Sequence, residues 1–170
     1  MRGSHGSAST KGIQKGVLTL HFKDNVHLKV PSDLDNKIEE ILIDAMTKSL
    51  TGKYDLNEIY FDDLPLFEGK IDSDLIYDLD FTVETTIYGS FDYDPGVHTY
   101  SNGDPGYPPS MDWEPDYGWV EGVDRNILIG ILGKIKNFGD KLDLDKITVT
   151  IGDPEESSDL EIEESFPDYF

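Results

Sequence analysis

From Leu75 to Tyr93 the chain alternates almost without interruption. Leu75, Tyr77, Leu79, Phe81, Val83, Thr85, Ile87, Phe91 and Tyr93 occupy odd positions, and only Gly89 breaks the row. Asp78, Asp80, Thr82, Glu84, Thr86, Ser90 and Asp92 occupy even ones. A period of two puts successive side chains on opposite faces of a strand. The pattern predicts a long half-buried strand, bent at Gly89, with an apolar odd face and an acidic, wet even face. A shorter alternation covers residues 16–30. Leu18, Leu20 and Phe22, then Val26, Leu28 and Val30, predict a hairpin that pairs Phe22 with Leu28 and Leu20 with Val30 around Asp24-Asn25. His21, Lys23, His27 and Lys29 then share its outer, solvent-facing side.

The period changes after Pro31. Leu34, Ile38, Ile41, Leu42, Ala45, Met46 and Leu50 form one helical stripe. Ser32 is the expected N-cap, Asp33 and Asp35 suit the first turn, and Gly52 marks the stop. Ile59 and Phe61 suggest a short strand that Pro65 ends. Residues 94–118 hold five of the nine prolines, with turn signals at Asn102-Gly103 and Asp104-Pro105-Gly106, and read as one long loop. Asp124 is placed to cap a second helix lined by Ile127, Leu128, Ile131, Leu132, Ile135 and Phe138 and closed by Gly139. Leu142, Leu144, Ile147, Val149 and Ile151 predict a last strand with an irregularity near Asp145-Lys146, where the parity switches. The order β-β-α-(β)-β-α-β predicts an α+β fold, an antiparallel or mixed sheet with two helices on one face.

The ends carry different signals. Met1-Arg2-Gly3-Ser4-His5-Gly6-Ser7 resembles the remnant of a polyhistidine expression leader, and small polar residues follow to Lys15. Residues 1–15 are therefore expected to be flexible, residues 16–152 to form one domain, and residues 153–170 to be a flexible acidic tail.

Charge sharpens this division. The 170 residues include 14 Lys and Arg against 35 Asp and Glu, a net charge of −21. Residues 54–122 hold 17 acids and one base, Lys70, and residues 153–170 hold eight acids and no base. The remaining stretches are close to neutral, whereas a salt-adapted chain is acidic throughout. Such a balance opposes direct binding of nucleic acid or an anionic membrane. No apolar run approaches the ~20 residues of a membrane helix.

Little catalytic chemistry is encoded. With no cysteine there is no disulfide, thiolate metal site or thiol nucleophile. Phosphate-loop, dinucleotide, nucleophile-elbow and zinc-protease motifs are all missing. The Asp-x-Asp pairs at Asp72/Asp74, Asp78/Asp80, Asp92/Asp94 and Asp143/Asp145 lack the order of a calcium loop. No enzyme, cofactor or metal is expected.

The remaining signal is the loop and its approach. The strand ends in Tyr93-Asp94-Pro95-Gly96, and Gly106-Tyr107-Pro108-Pro109 and acidic residues follow. Residues 81–121 resemble small accessory proteins of tailed bacteriophages that share this Tyr/Pro/Gly/Asp-rich pattern. Here an amphipathic helix follows the loop, where in those proteins a closing strand does. The resemblance implies a phage-encoded accessory protein in the cytoplasm of a bacterial host and assigns no catalytic residue. The residues themselves point the same way. Asp78, Asp80, Glu84, Asp92, Asp94, Asp104, Asp112, Glu114 and Asp116 offer carboxylates, and Tyr107, Trp113 and Tyr117 offer aromatic faces to Lys and Arg. Phe166, Tyr169 and Phe170 end the tail. The expected function is a non-enzymatic inhibitor or nucleic-acid mimic that occupies the basic site of a host protein. Two alternatives remain open. One is a phage structural or assembly component. The other is a single-stranded-DNA-binding protein, because the acidic, aromatic-ended tail resembles the partner-recruiting tails of such proteins.

Overall fold

The structure is a computed structural model that describes residues 3–24, 26–29, 38–64, 68–71, 75–99, 102–157 and 159–167. In chain order the elements are β1 (Ser4–Phe22), β2 (Val26–Lys29), α1 (Ile38–Ser49), β3 (Leu50–Thr51), β4 (Asp55–Phe61), β5 (Glu68–Ile71), β6 (Leu75–Asp94) and β7 (Val97–Thr99). There follow β8 (Pro105–Tyr107), β9 (Ser110–Tyr117), β10 (Gly122–Val123), α2 (Arg125–Leu132), β11 (Thr148–Ile151), β12 (Glu155–Glu156) and β13 (Glu161–Pro167). The fold is α+β, as the periodicity predicts.

Two strands dominate. β1 has 19 residues and β6 has 20, and they pair antiparallel from Ser4↔Tyr93 to Phe22↔Leu75. At ~3.4 Å per residue each spans roughly 65 Å, far beyond the usual strand. Shorter strands complete the sheet on both sides. β11, β12 and β13 follow one another along the outer edge of β1, and β4 and β9 share the outer edge of β6. Every pairing among the described residues is antiparallel.

The expected parity of β6 holds, and its odd face is core. Leu79, Phe81 and Val83 pack with Leu18, Leu20 and Phe22 of β1. Ile38, Leu42, Ala45 and Met46 of α1 and Leu128 and Leu132 of α2 close over the same face. Further along, β1 puts Gly6, Ala8, Gly12 and Gly16 on that face, and large side chains of β6 lie over Gly12 and Gly16. A Cβ on Gly16 would sit 2.3 Å from the Phe81 ring, and one on Gly12 would sit 2.4 Å from Ile87. Small residues under large ones let a strand pair of this length coil without a void.

The structure differs from the expected plan in several places. The 16–30 hairpin does not form. Residues 16–22 belong to β1, and β2 pairs instead with β5. A ladder running the full length of β6 prevails over a local turn. The chain after Phe22 is then held by Lys23 N–H donating to the Lys141 carbonyl at 2.8 Å, with Asp143 N–H donating to the His21 carbonyl at 2.8 Å. His27 is exposed, but His21 is half-buried on the sheet. Residues 4–15, expected to be mobile, form most of a central strand. Residues 161–167, expected to be a free tail, form its edge partner. Among its described residues the 94–118 stretch carries three strands, β7, β8 and β9, where one long loop was expected.

Both helices are legible, and α2 is shorter than expected. Asp124 caps α2 as predicted, its carboxylate accepting from Asn126 and Ile127 N–H at 3.1 and 3.3 Å. The helix stops at Gly133, before Gly139, and Ile127 faces water at 45 % exposure. The predicted parity switch near Asp145 is a 3-10 turn over Leu144–Lys146. Arg125 braces it by donating to the carbonyls of Leu144, Asp145 and Ile147 at 2.8–2.9 Å. The Ser32 cap of the first helix, Val30, Leu34, Pro65, Asp72 and Asp74 lie outside the described residues.

Candidate functional site

The face of the sheet opposite the helices is built from odd residues of β1 and even residues of β6. Directly opposed residues on neighbouring strands share a face, with Cβ atoms ~4.5–5.5 Å apart. The register therefore sets out rows of side chains. Glu155, Ile13, Glu84 and Glu58 form one. Glu164, Ser7, Ser90 and Glu114 form another. Phe166, His5, Asp92 and Asp112 form a third, near the far end. Asp78 and Asp80 continue the face towards the helical end, opposite Thr19 and Val17. Along each strand the same-face positions repeat every ~6.6–6.8 Å.

Six of the residues singled out in the sequence thus share one surface: Asp78, Asp80, Glu84, Asp92, Asp112 and Glu114. Two segments remote in sequence supply its acids, the long strand with its neighbours and the C-terminal strand. Glu58 stands directly opposite Glu84, and Asp112 directly opposite Asp92. Like charges so placed destabilise a sheet. Some of these carboxylates have partners. Lys11 reaches Glu84 at 3.2 Å, and the Thr19 hydroxyl donates to Asp78 at 2.7 Å. Glu163, at the bulge of β13, accepts from the Ser9 hydroxyl at 2.8 Å.

The aromatics divide between structural and exposed roles. Trp113 was expected to meet a partner, but it folds inward on the other face. Its ring lies over Gly89, and its Nε1–H donates to Glu156 at 2.8 Å. Tyr117 stacks on Tyr88 at 5.2 Å, and the Lys53 ammonium sits 4.7 Å above its ring. The cation sought by this aromatic is already supplied by the chain itself. Tyr107 and Phe166 remain exposed. Asp104 and Asp94 serve turns. Asp104 accepts from the Asn102 amide at 2.9 Å, and Asp94 accepts from Gly96 N–H at 2.9 Å. Asp116 is the extra residue where the β6–β9 register shifts and lines an open depression with Tyr117, Glu163 and Glu164. Tyr169 and Phe170 lie outside the described residues.

Sequence reasoning passed over Glu58, Glu155 and Glu164 as members of this face. Glu58 lies opposite Glu84, which the alternation had placed on the wet side, whereas Glu155 and Glu164 lie opposite Ile13 and Ser7, in a stretch where no strand was expected. Among the described residues no three of His, Asp and Glu are gathered as a metal ion would need. No family model, curated protein or solved structure matches the chain.

One titration reports on the middle of the face. The Tyr88 hydroxyl donates to the Asp55 carboxylate at 2.6 Å, and this bond above all pushes its pKa up from 10.0 to about 12. A raised pKa in the folded state adds stability that is fully present below pH 10 and is lost as pH rises through about 12. Absorbance titration should show Tyr88 ionising late, alongside Tyr54, whose pKa burial also raises, and Asp55→Asn should return Tyr88 alone towards its ordinary value. An unchanged titration in that variant would mean that the bond is not formed.

Proposed function

We propose that this protein is a non-enzymatic binding protein whose acidic sheet face occupies the basic, nucleic-acid-binding site of a partner protein. The observation that carries this reading is the convergence of two distant acidic segments on one face, with carboxylates directly opposed. Solubility alone calls for scattered charge, not for Asp92 facing Asp112. Rows ~4.5–5.5 Å apart with a repeat of ~6.6–6.8 Å give a two-dimensional field of negative charge. Duplex DNA presents one phosphate per ~3.4 Å of axis on each strand, so a site shaped for that field meets a comparable one here. Steering by the summed charge makes association fast and salt-sensitive. Together with the phage-like pattern of residues 81–121, the proposed setting is the cytoplasm of a bacterial host. The single-stranded-DNA reading required a free tail. With Glu161–Pro167 paired to β1, that reading has less to stand on.

The test is displacement. Bacterial proteins retained on immobilised duplex DNA are challenged with this protein at low salt, and with polyglutamate of equal total charge. The expected result is release of a discrete set that polyglutamate leaves bound, fading as salt rises. Release no different from that by polyglutamate would overturn the reading.

A further inference from the structure

β9 is an edge with two chemistries. Among the described residues it pairs with β6 alone, so its other edge is open. Asp112 and Glu114 project onto the acidic face, opposite Asp92 and Ser90. Met111 and Trp113 project onto the other face, opposite Tyr93 and Phe91. That second face lies outside the main core cluster, which includes neither Phe91 nor Trp113. Met111 is 43 % and Tyr93 37 % exposed, an apolar step beside an open edge.

We infer that β9 accepts an added strand from the basic partner, one that alternates Lys or Arg with apolar residues. This rests on the proposed acidic-face function and specifies how the partner would be held. An added strand forms main-chain hydrogen bonds with the open edge, and its alternate side chains fall on alternate faces. Its basic residues come to lie beside Asp112 and Glu114. Its apolar residues extend over Met111 and Trp113. The unbroken stretch Ser110–Pro115, before the register shift at Asp116, offers roughly 20 Å of edge at ~3.4 Å per residue, with no N–H at Pro115. A second copy of β9 does not suit, because antiparallel self-pairing sets Asp112, Glu114 and Asp116 against their own kind.

The probe is an eight-residue peptide alternating Lys with Val, added to the intact protein. Its comparison is the same peptide N-methylated at alternate residues on the bonding edge, which keeps charge and side chains but removes those donors. Hydrogen exchange should slow at the β9 amides in the presence of the first peptide, and the methylated form should bind at least tenfold more weakly. Equal affinity of the two peptides, with β9 exchange unchanged, overturns strand addition while leaving the acidic face as a binding surface. Failure of the first peptide to bind, while displacement from DNA persists, overturns it too. Slowing at β9 that depends on protein concentration without peptide makes a second copy the occupant and also overturns it. Loss of displacement itself is the separate failure of the function on which the inference rests.

Discussion

Gln14→Leu should destabilise the protein by about 3 kcal/mol, the largest loss expected from a single polar side chain here. Gln14 is buried at 1 % exposure on the core face of β1. Its Nε2 donates to the Val120 carbonyl at 2.8 Å and to the Gly152 carbonyl at 3.0 Å, and its Oε1 accepts from Val120 N–H at 2.8 Å. Val120 lies on the crossover that takes the chain from β9 to α2, and Gly152 follows β11. One amide therefore ties the centre of the sheet to both segments. Leucine keeps the approximate volume but strands the buried Val120 N–H and C=O, and each stranded group costs about 1–3 kcal/mol. Urea unfolding should show a lower midpoint with an unchanged slope. Gln14→Glu separates hydrogen bonding from packing. Burial raises the pKa of the introduced carboxyl above its unfolded value of ~4.3. The variant therefore lies nearest the parent at acid pH, where the carboxyl keeps a proton to donate, and falls behind as pH rises. A Gln14→Leu protein as stable as the parent would show that these bonds contribute nothing net.

That residue was hidden by the quietness of its surroundings. Gly6, Ala8, Thr10, Gly12 and Gly16 carry no hydrophobic period, so the first fifteen residues read as a leader remnant and a flexible N-terminus. Their meaning lies in the partner strand. Phe91 pairs with Gly6, Ile87 with Thr10 and Phe81 with Gly16, so the apolar volume missing from β1 is supplied by β6. The alternation of β6 was legible because it carries that volume itself. The Asp124 cap was legible because it is a local hydrogen bond. The 16–30 hairpin misled because strand pairing is chosen among all available edges, and proximity in sequence is only one term in that choice.

The C-terminal strand was obscure for a related reason. Counted alone, its acids repel one another and argue for a free tail. Against β1 they meet small polar residues, Ser7 opposite Glu164 and Ser9 opposite Glu161, with the charge left in solvent. Phe166 gains a ring neighbour in His5 at 5.8 Å. The wet face of β6 could be read from period two alone. Its extension across β4, β9 and β13 depends on register, which no single stretch of sequence records. The aromatics of residues 107–119 show the converse limit. Their composition suggested recognition, yet Trp113 packs over Gly89 because a glycine there leaves room for the ring.

Neutralising the acidic face should weaken partner association by at least tenfold at low salt while leaving the fold intact. The set is Glu58→Gln, Asp92→Asn, Asp112→Asn and Glu114→Gln. These residues are exposed, and they include at least one member of each opposed pair, Glu58 with Glu84 and Asp92 with Asp112. Glu84 is retained because it pairs with Lys11. Each change should move stability by no more than ~0.5 kcal/mol, with relief of like-charge opposition favouring the variant. Association depends on the summed field, and steering raises on-rates by roughly 10–10³-fold. Removing four carboxylates from the middle and far end of one face should therefore slow binding much more than it affects folding. Glu39→Gln with Glu40→Gln on the exposed side of α1 removes charge without touching the face and should leave binding near the parent level. The readouts are the thermal midpoint and the concentration needed to displace proteins from immobilised DNA. A folded variant that displaces as well as the parent would reduce the acidic face to a solubilising surface. If both sets weaken displacement in proportion to the charge removed, net charge alone is at work and the register has no role. If only the face set does so, the opposed carboxylates that burden the sheet are the ones that hold the partner.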